Sequence, residues 1–271
     1  MRRMHFIEIH DQTWFPLTAR DAVTDTLQFL FNFAKLYAPI VPRLHNALVS
    51  ARTHRLVDLC SGGGGPWLWM QRVFETSLHY PVEVCLTDKF PNRSAFERAK
   101  RLSVGQLEYF AEPVDVMHLP AELTGFRTMF TSFHHFRPAE ARAILRDAAD
   151  RQQGIGVFEI PHRNLLTIFL TFLVSLVALL IVPFIRPFRW SRLLWTYLVP
   201  LVPIVLFFDG IVSCLRAYSL SELRELTQGI SAPGYAWEIG EAKRGFFELP
   251  VTYCIGCSAQ AGKSHLEKES S

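Results

Sequence analysis

The chain has 271 residues, 49% of them hydrophobic and 20% charged, with a mean hydropathy of +0.15, a composition that excludes a disordered or fibrous protein and is greasier than most soluble enzymes. Twenty-eight basic against 25 acidic residues leave a net charge of +3, too balanced for the electropositive field that sequence-independent nucleic-acid binding needs, so no nucleic acid is expected as a partner. The 5 cysteines, an odd count, make no disulfide framework and point to free thiols in a reducing compartment.

Arg2 and Arg3 are followed by alternating apolar and charged residues from His5 to Asp11, which is no secretory signal, so the first half is expected in the cytoplasm. From Thr18 to Tyr37 the residues Val23, Leu27, Leu30, Ala34 and Tyr37 recur at helical spacing; Thr18 or Asp21 can cap the start and Pro39 stops the run. A second short helix, Pro42 to Ala51, delivers the chain into a buried strand from Arg55 to Leu59. Helices are then predicted over 67–76, 94–100 and 138–151, and strands over 82–87, 109–114, 126–131 and 155–160. That alternation implies a mostly parallel sheet with helices on both faces. The rhythm breaks at 165–185, which carries no charge, and after Arg186, Arg189 and Arg192 a second charge-free run covers 193–208. Ser219 to Glu222 then caps a helix ending near Gln228, and two closing strands lie near 236–239 and 249–258. The polar tail, 260–271, is expected to fray.

Strand, glycine-rich turn and helix bring backbone N–H groups close to a ligand, because glycine has no Cβ to block the approach. Here Val57-Asp58-Leu59 leads into four glycines, Gly62 to Gly65. A dinucleotide fingerprint, Gly-x-Gly-x-x-Gly, would find Trp67 or Leu68 at its third position, and a kinase-type phosphate loop would need Lys-Ser or Lys-Thr where Pro66 and Trp67 stand. Asp58-Leu59-Cys60-Ser61-Gly62-Gly63-Gly64 resembles instead the first motif of class I S-adenosylmethionine-dependent methyltransferases, with Cys60 in place of the first glycine. The resemblance continues at Asp88, which ends Val84-Cys85-Leu86-Thr87-Asp88 where the family places an acid for the ribose hydroxyls, and at Val114-Asp115-Val116-Met117-His118-Leu119-Pro120, where the family's Asp accepts from the adenine amino group. It implies a Rossmann-like class I methyltransferase sheet and S-adenosylmethionine as cofactor, held by Asp58, Cys60, Gly62, Gly64, Asp88, Asp115, Val116 and Ser132. No metal is implied.

Methyl transfer from a sulfonium is a direct displacement, so the protein has to align the acceptor and, where needed, remove a proton. The fourth strand ends in Ser132-Phe133-His134-His135-Phe136, and His134 or His135 is the candidate base; the alternative is that one caps a helix and the other packs in the core. The Asp-Pro-Pro-Tyr or Asn-Pro-Pro-Tyr of amino-methylating family members is absent. Glu159 follows strand five, where it can line the acceptor pocket or pair with Arg163; Arg216 and Tyr218 can help close that pocket. Cys254 and Cys257 have no second ligand pair and read as core fillers.

The apolar run 165–185 is long enough to span about 30 Å of hydrocarbon at roughly 1.5 Å per residue, and because both ends return to one sheet the segment is expected to be a membrane hairpin. Arg186, Arg189 and Arg192 at its tip oppose the positive-inside tendency if it crosses, whereas a shallow dip into one leaflet keeps them near headgroups; both remain open. The expected domains are a helical cap over 1–54, a core over 55–163 and 210–259, the hairpin over 164–209, and a disordered tail. The function expected is a membrane-associated methyltransferase, its core on the cytoplasmic side, acting on a hydrophobic or lipid-like small molecule. Another Rossmann-type nucleotide-binding enzyme or a silent membrane-bound scaffold of the same fold are the alternatives.

Overall fold

Short, almost wholly apolar runs bounded by turns become strands buried on both faces, which is what a parallel sheet covered by helices requires. A computed structural model describes residues 1–103, 106–245 and 249–258. Its strands are β1 (Arg55–Leu59), β2 (Glu83–Leu86), β3 (Leu107–Tyr109), β4 (Phe126–Phe130), β5 (Ile155–Glu159), β6 (Tyr235–Ala242) and β7 (Val251–Ser258), in one seven-stranded sheet of order β3-β2-β1-β4-β5-β7-β6. The first five are parallel, and β7 runs antiparallel to both β5 and β6. The chain moves outward from β1 to β3 and then returns to lay β4 on the other side of β1, so the strand order reverses between β1 and β4. Ligands of open α/β sheets bind at the carboxyl ends of the strands at such a point.

The chain divides into two units. The sheet belongs to the one formed by residues 36–160 and 220–271, with helices α2 (Val41–Ser50), α3 (Trp67–Thr76), α4 (Arg93–Leu102), α5 (Pro138–Asp150) and α9 (Leu220–Thr227). Asn92 caps α4 by accepting from the Ala95 N–H at 3.2 Å, and Glu140 accepts from the Arg137 N–H at the start of α5. Arg142 of α5 donates to the carbonyls of Leu226 and Gln228, tying α5 to the end of α9. The third strand is shorter and earlier than the 109–114 expected from sequence: after Tyr109 the chain leaves the ladder, and the Val114 N–H donates to the Asp88 carbonyl at 2.8 Å.

The other unit consists of residues 1–35 and 161–219. Its helices are α1 (Leu17–Phe33), α6 (Leu165–Ile181), α7 (Trp190–Leu193, continued by a wider turn to Leu198) and α8 (Leu201–Arg216). Asn164 caps α6 through the Thr167 N–H, whereas α1 starts after Pro16 with no side-chain cap, so neither Thr18 nor Asp21 plays that part. Phe15, Ala19, Ala22 and Val23 pack against Ala178, Val202, Val205 and Leu206. This grouping differs from the division expected from sequence. The N-terminal 35 residues join the apolar segments, and α8 runs past Asp209 to Arg216, with polar side chains paired between them: Asp25 with Arg192 at 2.5 Å, Glu8 with Arg216 at 3.0 Å, and His10 with Asp209 at 2.7 Å. The tail, 260–271, lies outside the described residues.

Gly125, just before β4, has φ +141° and a Cβ there would stand 2.7 Å from the Arg55 carbonyl oxygen, a backbone atom that cannot yield. Gly125→Ala should therefore lower the thermal midpoint by an amount corresponding to about 1–3 kcal/mol or more, whereas Gly245→Ala, with open space around it, should leave the midpoint nearly unchanged in the same thermal scan.

Candidate functional site

Beyond β1 the backbone turns left-handed four times in six residues, at Cys60 (φ +55°), Gly62 (+55°), Gly64 (+105°) and Gly65 (+55°). Glycine does this without steric cost; Cys60 carries a Cβ into the same region at a cost of roughly 1–2 kcal/mol. The turn is held from within. The Ser61 hydroxyl donates to the Asp58 carbonyl at 2.8 Å, and the Gly64 and Gly65 N–H groups both donate to the Ser61 carbonyl. It is also held from β2: the Ser61 N–H donates to the Thr87 carbonyl, and the Gly62 N–H donates to the Asp88 carboxylate at 2.7 Å. The other Asp88 oxygen accepts from the Phe90 N–H at 2.8 Å. Trp67, the first residue of α3, is fully buried with its ring edge-on to Phe130 at 5.7 Å.

Asp58 is 1% exposed, and its carboxylate accepts from the Thr128 hydroxyl at 2.6 Å, across the β1–β4 register pair. Burial pushes this carboxyl up to about 6; hydrogen bonds from Ser61, Thr128 and Trp67 pull it back, and the neighbouring Asp88 charge pushes the same way as burial. Asp115 opens a short turn over Val116–His118 by accepting from the Met117 N–H at 2.9 Å, with the Lys89 ammonium 3.9 Å from its other oxygen. Val116 is buried. The Val114 bond to Asp88 sets Asp115 beside the end of β2, so the structure brings Asp58, Cys60, Gly62, Gly64, Asp88, Asp115 and Val116 to one edge of the sheet.

Ser132, His134 and His135 follow β4 on the same edge. Glu159, at the end of β5, is 3% exposed: one oxygen accepts from the Ser132 and Phe133 N–H groups at 3.0 and 2.7 Å, and the other bonds His134 Nδ1 at 2.6 Å. The carboxylate thus clamps the turn and fixes the His134 ring. His134 is buried, and His135 is half-buried with its ring centroid 4.5 Å away. The sequence pointed to Glu159 as a pocket residue or a partner of Arg163 and did not show it as the carrier of His134; an acid closing a wholly apolar strand, Ile155-Gly156-Val157-Phe158, was the signal that it must be paired. Tyr37 was missed altogether as a site residue. Its hydroxyl lies 2.6 Å from Thr131 Oγ1 and its ring is edge-on to Phe130 at 4.8 Å, and burial raises its pKa well above the usual tyrosine value.

Arg216 and Tyr218 belong to the helical unit, where Arg216 pairs with Glu8 and the Arg3 guanidinium lies over the Tyr218 ring at 4.0 Å. Cys254 and Cys257 are free thiols on β7; burial pushes Cys254 up to about 12 and Cys257 upward, which suits packing and not ligation.

No protein-family model and no curated protein sequence matches the chain. Solved structures do. An O-methyltransferase family 2 protein from Planctomyces limnophilus, in complex with apigenin, gives a TM-score of 0.51 at 13% identity over 93% of this chain and 62% of that one. The citrinin polyketide synthase CMeT domain gives 0.51 at 12% identity over 86% of this chain and 56% of that one. PigF with SAH gives 0.50 at 15% identity over 91% of this chain and 62% of that one. The fold is that of the class I methyltransferases. The chain spans about three-fifths of the length of these structures, and at such identities the likeness is one of fold.

The buried carboxyl of Asp58 gives a signed pH dependence. Its folded value, about 6, lies above the ordinary 3.8, so its contribution to stability is fully present below pH 3.8 and is lost as pH rises through 6. Asp58→Asn removes this titration. The stability of wild type relative to Asp58→Asn should therefore fall between pH 4 and 7, by on the order of 3 kcal/mol, in paired chemical-denaturation curves.

Proposed function

We propose that this chain is a membrane-associated S-adenosylmethionine-dependent methyltransferase that acts on a hydrophobic, lipid-like small molecule. The observation that carries the cofactor reading is the set of acceptors: Asp58, Asp88 and Asp115 gather beside the glycine turn at the strand-order reversal. Adenosylmethionine offers a sulfonium, an ammonium, a ribose diol and an adenine amine, all of which seek acceptors or negative charge. A dinucleotide would bring a pyrophosphate against Asp58 and Asp88, and the third fingerprint position is already Trp67 or Leu68. The residues present fit adenosylmethionine. Asp88 would accept from the ribose hydroxyls, Asp115 with Val116 would hold adenine, the turn from Cys60 to Gly64 would cradle the methionine part, and Ser132 would complete the site. PigF, which shares the fold, was crystallised with SAH, which supports the same cofactor here.

When bound, this cofactor supplies a methyl group on a sulfonium, open to direct displacement. The chain's own work is alignment and proton removal. Glu159 holds the His134 ring, and His135, half-buried and tilted 34° against it, would take a proton from the acceptor. Apigenin in a protein of the same fold supports a small-molecule acceptor, and the apolar surface of residues 161–219 supports one that partitions into lipid; the sheet unit would then lie on the cytoplasmic face.

Lipid extracts incubated with the protein and isotopically labelled adenosylmethionine should yield a labelled product by mass spectrometry; no transfer to any component, together with no adenosylhomocysteine binding in calorimetry, would overturn the reading. Asp88→Ala should weaken adenosylhomocysteine by at least about tenfold, since hydrogen bonds to a charged acceptor are worth roughly 1.5–3 kcal/mol each. His135→Gln should lower turnover by about a hundredfold with cofactor affinity unchanged. Full turnover in that variant would mean that alignment alone suffices.

A further inference from the structure

Whether the apolar segments cross a membrane or enter one leaflet turns on what holds their tip. The first arm, Leu165–Phe184, is 20 residues long with mean hydropathy 3.0, and Leu165, Phe169, Leu176, Leu180 and Phe184 present an exposed stripe along it. Its length and apolarity match a hydrocarbon layer. The return arm does not match it: Trp190–Leu198 and Leu201–Arg216 meet at an angle of 71°, and the latter helix carries Asp209 and Arg216.

The tip arginines do not reach outward as a group. Arg192 is 2% exposed, bonded to Asp25 of α1 and to the carbonyls of Ile185 and Pro187, and Arg189 lies 3.5 Å from the same Asp25. Of the three, Arg186 is the exposed one, while Phe184, Phe188, Trp190 and Leu198 cover the outside of the tip. A tip delivered into water on the far side of a bilayer would place those four apolar side chains against water, while Arg189 and Arg192 stay turned inward on Asp25. Helix α1 is bound to this tip twice, through Asp25 and through the Thr18 hydroxyl, which accepts from the Trp195 indole. It carries Arg20, Asp21 and Asp25 in 17 residues, and the segment before it is pinned along α8 by the Met4 N–H on the Leu215 carbonyl and the Ile9 and His10 N–H groups on Asp209. A crossing by α6 would drag this charged helix through hydrocarbon, at a cost that such segments do not meet.

We infer that residues 1–35 and 161–219 form a one-leaflet wedge that enters the bilayer side-on, the α6 stripe with Phe188 and Leu198 among the acyl chains and α1 toward the headgroups. The inference rests on the membrane-associated reading above. Arg186 and Trp190, a cation and an amphipathic ring on the same tip, then sit at headgroup level, where both side chains are at their best.

Neutron reflectometry of the full chain on a supported bilayer of phosphatidylcholine containing phosphatidylglycerol separates the cases. The expected profile has protein density in the near headgroups and near acyl layer, ending around the midplane. Density through both acyl layers would overturn the wedge and leave membrane association standing; no bound protein would overturn both, with the apolar stripe then covered by another protein surface. A double variant, Phe169→Asp with Leu176→Asp, changes two exposed positions and should cut partitioning onto vesicles of the same lipids by at least about tenfold while adenosylhomocysteine binding stays unchanged. Undiminished partitioning in that variant would remove α6 from the lipid contact and overturn the wedge.

Discussion

A charge taken out of water must be met by a partner or given up as a proton, and both units of this protein are organised by that constraint. In the sheet unit Asp58 meets Thr128 and Ser61, Glu159 meets His134 with two backbone N–H groups, and Arg127 meets Asp147 and Gln153. In the helical unit Asp25 meets Arg192, Glu8 meets Arg216, and Asp209 meets His10 and two N–H groups. Such pairs add little net stability over a well-packed apolar core, but losing one partner is costly, so they fix which packing is allowed.

At the strand-order reversal the same constraint shapes the chemistry. Asp58 has its partners, yet burial and the nearby Asp88 leave its carboxyl near 6, poised between two protonation states. A cationic ligand arriving beside it would favour the ionised form and draw a proton off, so affinity for such a ligand rises with pH through that range. The Glu159 clamp acts differently. By consuming both oxygens on Ser132, Phe133 and His134 it holds the turn after β4 rigid, which is the condition for alignment to contribute to rate.

What could be read from sequence follows the range of the interactions involved. The strands β1, β2, β4 and β5, the glycine turn and Asp88 are set by local pattern, and each lies where its residues indicated; Cys60 adopts the left-handed backbone that a glycine at its position would. The pairs that organise the rest join distant positions: His134 and Glu159 are 25 apart, Tyr37 and Thr131 are 94 apart, and Asp25 and Arg192 are 167 apart. No periodicity encodes such a pair. For that reason α1 read as part of a cap running to residue 54, when its buried face and Asp25 belong with the apolar segments.

The helical unit is built from two stretches separated by the first 125 residues of the sheet unit, so bringing them together means closing a long loop. If that loop were a flexible chain, its closure would cost several kcal/mol and slow assembly. The β1–β4–β5 pairing closes it instead, and Thr131 ties its ends. Its hydroxyl lies 2.6 Å from the Tyr37 hydroxyl and accepts from the Ile160 N–H at 3.3 Å, so one side chain, itself held at φ +46°, gathers the segment that follows residue 35 and the one that precedes residue 161. Once the sheet has formed, the two stretches leave it from neighbouring points, and the charge pairs between residues 1–35 and 161–219 form at the entropic cost of a short loop.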